Sequence, residues 1–445
     1  MKILVIDADS ILLNKRFNYG DIVPRLQIGY VLSLLEMNNL DYYFLDCRFI
    51  DEIENSLSSC KSADIVVIFF NTYDYKFAFK LANYFEDKVV VGIGPHASAL
   101  PSTIIYEYSP FDYALRGECE YDLIKLIKNL GNKDELNKIE SLYYSEKKNS
   151  KISLIKEIDN LPYPKYHSFN GRYYDILPVP FFKKANWGFV NASRGCPNLC
   201  TYCSPMNRVS YGYNYRIRSA KSVVDEIEYL SSLGKNVIEI VDDNFTVSKK
   251  FVTEVCDEIM KRELKIKWVA QVKIDTLDKD IMLKMKTSGC FCIRTGIETG
   301  SNKIIKEIKK YKDDWKGLII ETFKYAKQIG IIIDAYIILG LPNETENDRG
   351  ETLEMLKKSK PDFVQVHYFQ PYPGSLLYNN AKKEDFNEYL YHYNCSLEEF
   401  RTVKNKIYKI VYFNPKAVIK HLSLFSGFYI RNPKIFSRLV NFLIN

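Results

Sequence analysis

A chain of 445 residues, 47% hydrophobic and 26% charged, has room for two or three domains and is too apolar to be disordered. It has no run of about 18 or more apolar residues, which excludes a transmembrane helix, and its start, MKILVIDADS, meets an acid at Asp7, unlike a secretory leader. The net charge of +7 is uneven, because residues 401–445 hold nine Lys or Arg and no Asp or Glu.

From the N-terminus, KILVID, YYFLD, ADIVVIFF, KVVVGIG and FDYALRG read as short buried strands separated by helical or turn sequence such as VLSLLEMNNL. Such alternation predicts a parallel sheet with helices on both faces over residues 1–150. Ligands of such sheets sit beyond the carboxyl ends of the strands, here the loops DADS, NTYD, GIGPHAS and RGECE. Residues 151–185, with IDNLPYPKYHSF and ILPVPFF, carry four prolines and predict an extended linker. Over 186–385 the alternation resumes with WGFVNAS, VIEIVDDNF, IKWVAQVKID, CFCIRTGIE, IIIDAYIILGLP and FVQVHYFQP. Six β/α units of this kind predict an open, partial (β/α)6 barrel with its site at the carboxyl rim. Residues 386–445 read as a helical, basic tail.

Ten cysteines in a chain without a leader favour a reducing compartment and metal or redox use over disulfides. Seven are scattered, namely Cys47, Cys60, Cys119, Cys256, Cys290, Cys292 and Cys395, and are expected to be buried thiols. The other three, Cys196, Cys200 and Cys203, crowd into NASRGCPNLCTYCSP. A zinc site commonly draws on two separated CxxC pairs, whereas here CxxxCxxC stands alone. Three thiolates on a [4Fe–4S] cluster leave one iron open to an exogenous ligand. A zinc knuckle and a chance cluster are the alternatives.

CxxxCxxC with this spacing resembles the radical S-adenosylmethionine (SAM) enzymes. The resemblance implies that the open iron chelates the amine and carboxylate of SAM, and that cleavage of SAM yields a 5′-deoxyadenosyl radical. It further implies that Tyr202 faces the adenine. Asp242, Asp243 and Asn244 in VDDNF then hold the methionyl amine, Lys273 stands where relatives often carry Arg, and Glu298 in GIETG meets the ribose or amine. Tyr368 and Tyr372, after the sixth strand, are the candidates for a residue near the reacting carbon.

VVVGIGPHASALPSTII and ALRGECEYDLIKLI are similar to two loops of the Rossmann-like cobalamin-binding domain fused to one large group of these enzymes. That likeness implies cobalamin contacts at Gly92, Gly94, His96, Ser98, Gly117 and Glu118. Because DADSILLN lacks the histidine of the Asp-x-His-x-x-Gly motif, cobalamin is expected without a protein histidine on cobalt. A scaffold that binds no corrin is the alternative. The connector IDNLPYPKYH and the segments YIILGLPNETEND and QPYPGSLLY extend the resemblance over roughly residues 1–385.

The family implies an α/β enzyme using a [4Fe–4S] cluster, SAM and cobalamin, with an electron donor such as ferredoxin or flavodoxin. The expected reaction is methylation of an unactivated carbon in a lipid, isoprenoid, tetrapyrrole or natural-product precursor. Radical cyclisation or carbon–carbon bond formation is the enzymatic alternative, and a non-catalytic cobalamin or iron–sulfur sensor the alternative of another class. No nucleic-acid partner is expected, since the tail is richer in apolar residues than a phosphate-tracking strip needs. A cytoplasmic location is expected. In KAVIKHLSLFSGFYIRNPKIFSRLVNFLIN, the tail is either a helical cap on the barrel or a basic amphipathic segment on the inner membrane surface.

Overall fold

The computed structural model describes residues 1–9, 23–50, 53–148, 150–171, 173, 185–203, 210–212, 214–309, 311, 313–378 and 395–413. Its N-terminal sheet consists of β1 (Lys2–Asp7), β2 (Asp41–Asp46), β3 (Ile65–Phe69), β4 (Val89–Ile93), β5 (Tyr113–Leu115) and β6 (Leu142–Tyr144). The first five are parallel, in the order β2-β1-β3-β4-β5, and β6 closes the edge antiparallel to β5. Successive residues of a strand point to opposite faces. Ile3, Val5, Ile65 and Val67 accordingly feed one apolar core, while Leu4, Ile6, Val66 and Ile68 feed another. Each such side chain contributes on the order of 2 kcal/mol when fully buried, so the unbroken apolar runs fix a sheet covered on both faces. The strand order is that of flavodoxin-like doubly wound sheets and puts the crevice between β1 and β3, a refinement of the Rossmann-like expectation.

The second sheet consists of β7 (Trp187–Val190), β10 (Val237–Ile240), β11 (Lys267–Val272), β12 (Cys290–Glu298), β13 (Ile332–Leu339) and β14 (Phe363–Tyr368). All six are parallel and ordered as in the chain, with β7 and β14 at the two edges, which is the topology of an open barrel. Between β7 and β10, the short strands β8 (Ser193–Arg194) and β9 (Arg216–Ile217) pair antiparallel. The helix Ala220–Ser232 shows how sequence sets these units. Ser219 accepts the amide N–H of Ser222 as N-cap, and Val223, Val224, Ile227 and Leu230 recur at helical spacing and are buried. Gly234, at φ +80°, then turns the chain back toward β10.

Over residues 151–171 and Tyr173, the linker is a strap rather than a tether. The helix Leu26–Met37 carries Gly29, where a Cβ would lie 2.7 Å from Pro164. Tyr166 reaches past it to donate to Phe189 O and Glu226, both at 2.6 Å. At the other end the helix Leu397–Tyr412, opened by a Ser396/Glu399 capping box, covers edge strand β14. The Tyr412 hydroxyl accepts Val364 N–H at 2.8 Å, and Ile407 and Val411 are buried. Residues 401–413 are thus a helical cap. Lys416, Lys420, Arg431, Lys434 and Arg438, on which the membrane reading rests, lie outside the described residues. Among the described residues no helix is long and apolar enough to cross a membrane.

Candidate functional site

The cysteine loop leaves the carboxyl end of β7. Its base is held by Asp242, which follows β10 and is buried. The Asp242 carboxylate accepts Ala192 N–H at 2.7 Å, Ser193 Oγ at 2.5 Å and Asn191 Nδ2 at 3.1 Å. Burial pushes this carboxyl up to about 6, against the pull of those hydrogen bonds. Asp242 therefore secures the loop instead of facing a ligand amine, a correction to the expectation for VDDNF. Gly195 has φ +82°, and a Cβ there would sit 2.4 Å from Asn214 O, so the position requires glycine. Further on, Thr201 N–H donates to Ile308 O at 2.9 Å and Leu377 N–H to Thr201 O at 3.2 Å. Cys196, Cys200 and Cys203 are half-buried, whereas all seven scattered cysteines are buried as expected. Among the described residues no three His, Cys, Asp or Glu side chains form a preformed single-ion site. A cubane cluster does not need one, because each thiolate binds a different iron.

Beside the loop, the Tyr202 hydroxyl donates to Glu298 Oε1 at 2.8 Å. Lys309, 4% exposed at its side chain, lies 3.0 Å from the same oxygen and donates to Gly296 O at 2.8 Å. The bend that allows this is a slip in register between Gly296 and Glu298, with Glu298 at φ +58°. A Cβ on Gly296 would lie 2.1 Å from Glu298 Oε1, so the glycine makes room for the carboxylate. Burial raises the Cys200 thiol, while the ammonium groups of Lys309 and Lys273 pull it down. Sequence reasoning missed Lys309. In IKEIKK nothing in the sequence sets it apart from the other lysines.

Asn244 is buried, and its Oδ1 accepts Thr246 N–H at 3.2 Å, Thr246 Oγ1 at 2.9 Å and Lys273 N–H at 3.0 Å. Two of these donors are backbone amides, which settles the orientation of the side-chain amide. Nδ2 is left buried without a hydrogen-bond partner. Asn244 therefore offers a donor, suited to a carboxylate, and not the expected acceptor for an ammonium. Asp243 is half-buried, and its charge adds a small push to burial, which raises the Tyr211 phenol. The Lys273 ammonium stands 2.6 Å from Asp275.

In the N-terminal sheet, the residues expected to touch cobalamin are engaged by the protein itself. A Cβ on Gly92 would meet Ile104 at 2.9 Å, and one on Gly94 would meet Phe70 O at 2.8 Å. Ser98 Oγ accepts Gly117 N–H at 2.9 Å, and Gly117 packs on Ser153 O. His96 is buried with Nδ1 3.1 Å from Thr72 Oγ1 and Nε2 3.0 Å from Thr103 Oγ1. Burial lowers its pKa to about 4, and with both ring nitrogens occupied it presents none to a metal. At the crevice between β1 and β3 lies an ion network that sequence reading missed. Arg25 lies 2.8 Å from Asp7 and 2.7 Å from Asp9, and Arg48 lies 2.8 Å from Asp7.

Glu118 acts between the two sheets. Its carboxylate takes Arg216 Nη1 at 2.7 Å, Arg216 Nη2 at 2.6 Å and the amide of Ile155. Next to it, Arg194 pairs with the fully buried Glu120 at 2.8 Å, its guanidinium lying over the rings of Tyr30 (5.0 Å) and Tyr211 (5.4 Å). The RGECE loop thus grips the segment that leads into Cys196. A second contact joins Tyr73, after β3, to Gln370 and Tyr372, after β14. Tyr368 instead turns to Cys395 O and the ring of Phe400, 4.9 Å away, on the C-terminal helix side. Both interdomain contacts join segments that follow strands, so the carboxyl rims of the two sheets face each other.

Fold and site together define a two-sheet α/β protein in which an open barrel presents a three-thiol loop toward the ligand crevice of a doubly wound sheet. Residues 190–356 match the family model described as the Radical SAM superfamily, a match that supports an enzyme using SAM and a [4Fe–4S] cluster. It is 29% identical over 464 residues to the uncharacterized methyltransferase PH0819 of Pyrococcus horikoshii, covering 97% of this chain and 96% of that one. It is 24% identical over 397 residues to the anaerobic magnesium-protoporphyrin IX monomethyl ester cyclase of Rubrivivax gelatinosus, covering 82% and 68%. Among solved structures, the radical SAM methyltransferase TsrM of Kitasatospora setae, with cobalamin and a [4Fe–4S] cluster bound, superposes at TM-score 0.68 and 16% identity, over 85% of this chain and 74% of that one.

Proposed function

We propose that the protein is a cobalamin-dependent radical SAM methyltransferase acting on an unactivated carbon of a lipid, isoprenoid, tetrapyrrole or natural-product precursor. The observation that carries this reading is the apposition of the two carboxyl rims, which gives the three-thiol loop and the crevice of the N-terminal sheet a common space. When bound, the cluster with SAM supplies a 5′-deoxyadenosyl radical and cobalamin a transferable methyl group. Cys196, Cys200 and Cys203 would hold the cluster. The free donor of Asn244 fits the SAM carboxylate, Asp243 its ammonium, and Tyr202 with Glu298 the adenosine. Lys309 holds the Glu298 carboxylate in place and sets a positive charge beside Cys200. Residues 1–150 would bind the corrin without a histidine on cobalt, consistent with the closed environment of His96. The 151–185 linker would join that domain to the barrel of 186–385.

An external reductant such as ferredoxin or flavodoxin would serve the cluster. Likeness to a cyclase favours radical ring closure as the second reading. The test is to replace Cys196, Cys200 or Cys203 with Ala in anaerobically purified, reconstituted protein. Loss of the brown chromophore together with SAM cleavage supports the reading, and cleavage that survives any of the three overturns it. Corrin absorbance that elutes with the protein tests the cobalamin part, and its absence after purification with cobalamin would refute that part alone.

A further inference from the structure

The interior face of the second sheet is polar where barrel interiors are ordinarily filled by branched apolar side chains. Ile238 of β10 points outward, since a Cβ on Gly188 would meet both it and Leu230 of the helix Ala220–Ser232. By alternation Glu239 points to the opposite, inner face. There the Arg294 guanidinium of β12 reaches across β11 to hydrogen-bond Glu239, and its Nε lies 3.7 Å from Asp334 Oδ2 on β13. Gln365 of β14 donates to the same Asp334 oxygen at 3.0 Å. Tyr336 and His367 continue the face with their rings 6.2 Å apart, and His367 is exposed, so the interior opens to solvent at this side.

Two features of the group point to a ligand. Glu239 and Asp334 are 7% and 8% exposed, yet Glu239 Oε2 and Asp334 Oδ1 are buried without a hydrogen-bond partner. An unmet buried acceptor costs about 1–3 kcal/mol, and more on a charged group. The charges are also unequal, with two carboxylates facing one guanidinium and, beside Asp334, only the exposed His367 imidazole. Burial raises both carboxyls, the Arg294 charge pulling against it. A ligand bringing positive charge and N–H donors would satisfy both orphaned oxygens, whereas an anion would add to the imbalance.

We infer that this interior is the substrate's seat and that it takes a cationic amine, with the reacting carbon nearer the rim. The inference rests on the radical SAM reading, which places the radical at the carboxyl rim near Glu298. Arg294 lies four residues before Glu298 on β12, one of them taken up by the register slip, so the amine sits roughly 10 Å below it at about 3.3 Å per residue. Carboxylate- or phosphate-ended substrates are disfavoured by the same charges.

The experiment compares n-hexylamine with n-hexanoate, which share a chain and differ in the sign of the end group. Binding to reconstituted, SAM-loaded protein is measured by ligand-observed NMR. Hexylamine is expected to bind at least about tenfold more tightly than hexanoate and to weaken by at least about tenfold in Asp334→Asn, the scale of hydrogen bonds to a charged group. Equal or tighter hexanoate binding overturns the inference, as does hexylamine affinity unmoved in Asp334→Asn, or no hexylamine binding at roughly 10 mM. Circular dichroism checks that the variant folds. If it does not, Glu239→Gln, which removes the other unmet carboxylate, takes its place with the same expected weakening. Neither ligand reports on cobalamin or on SAM cleavage, so failure here is separable from failure of the proposed function.

Discussion

Replacing Arg194 with methionine removes a buried cation from between two domains while keeping a side chain of similar length. Arg216 still neutralises Glu118 at 2.6 Å, so the carboxylate left alone is that of Glu120, fully buried and 2.8 Å from the missing guanidinium. Breaking a buried pair from one side costs about 3–5 kcal/mol, which corresponds to a fall of roughly 6–20 °C in melting temperature for a domain of about 200 residues. Burial already raises the Glu120 carboxyl, with Arg194 as the opposing charge. Without Arg194 that pKa climbs further, and a carboxyl raised in the fold loses stability as pH rises through the window between its unfolded and folded values. The loss should therefore be larger at pH 8 than at pH 5. Melting of wild type, Arg194→Met, Glu120→Gln and the double variant forms a complete cycle. We expect the double variant to recover at least about 2 kcal/mol of the summed single losses. Additive losses, or a deficit independent of pH, would refute the view that this pair clamps the domains.

Three further outcomes follow from the geometry. Gly296→Ala should drive the Glu298 carboxylate off Tyr202 and Lys309, since the added Cβ would stand 2.1 Å from Oε1. SAM affinity by equilibrium dialysis should then drop about tenfold or more with little change in iron content. His96, held neutral with a pKa of about 4 against an ordinary 6.5, stabilises the fold above pH 6.5 and loses that contribution as pH falls toward 4. Melting should show about 3 kcal/mol of such dependence, absent in His96→Gln. Asp242→Asn presents an amide where Ala192 N–H and two side-chain donors converge, and should cost about 1–3 kcal/mol in urea unfolding while loosening the iron of the adjacent loop.

The parallel strands of both sheets were legible because buried runs such as IVVIF and VIEI leave few other ways to hide their apolar surface. The three-residue strand β6 and the pair β8–β9 were not. They are too short to show periodicity and exist because a neighbouring edge supplies hydrogen bonds. At the site, the thiol spacing was informative since few other arrangements need it. The roles of the glycine, serine and glutamate of GIGPHAS and RGECE were not legible. The same residue types that admit a ligand also admit a neighbouring backbone, and here they meet Phe70, Ser153 and Arg216. Which atom of Asn244 remains free was beyond sequence, being decided by two backbone amides that converge on its oxygen.

The most direct test of the central claim is mass spectrometry of the anaerobically purified protein, reconstituted with iron, sulfide and cobalamin and supplied with SAM and reductant. The account predicts 5′-deoxyadenosine together with S-adenosylhomocysteine, the products of radical generation and of methyl donation. Protein with an intact cluster that forms neither product would contradict it.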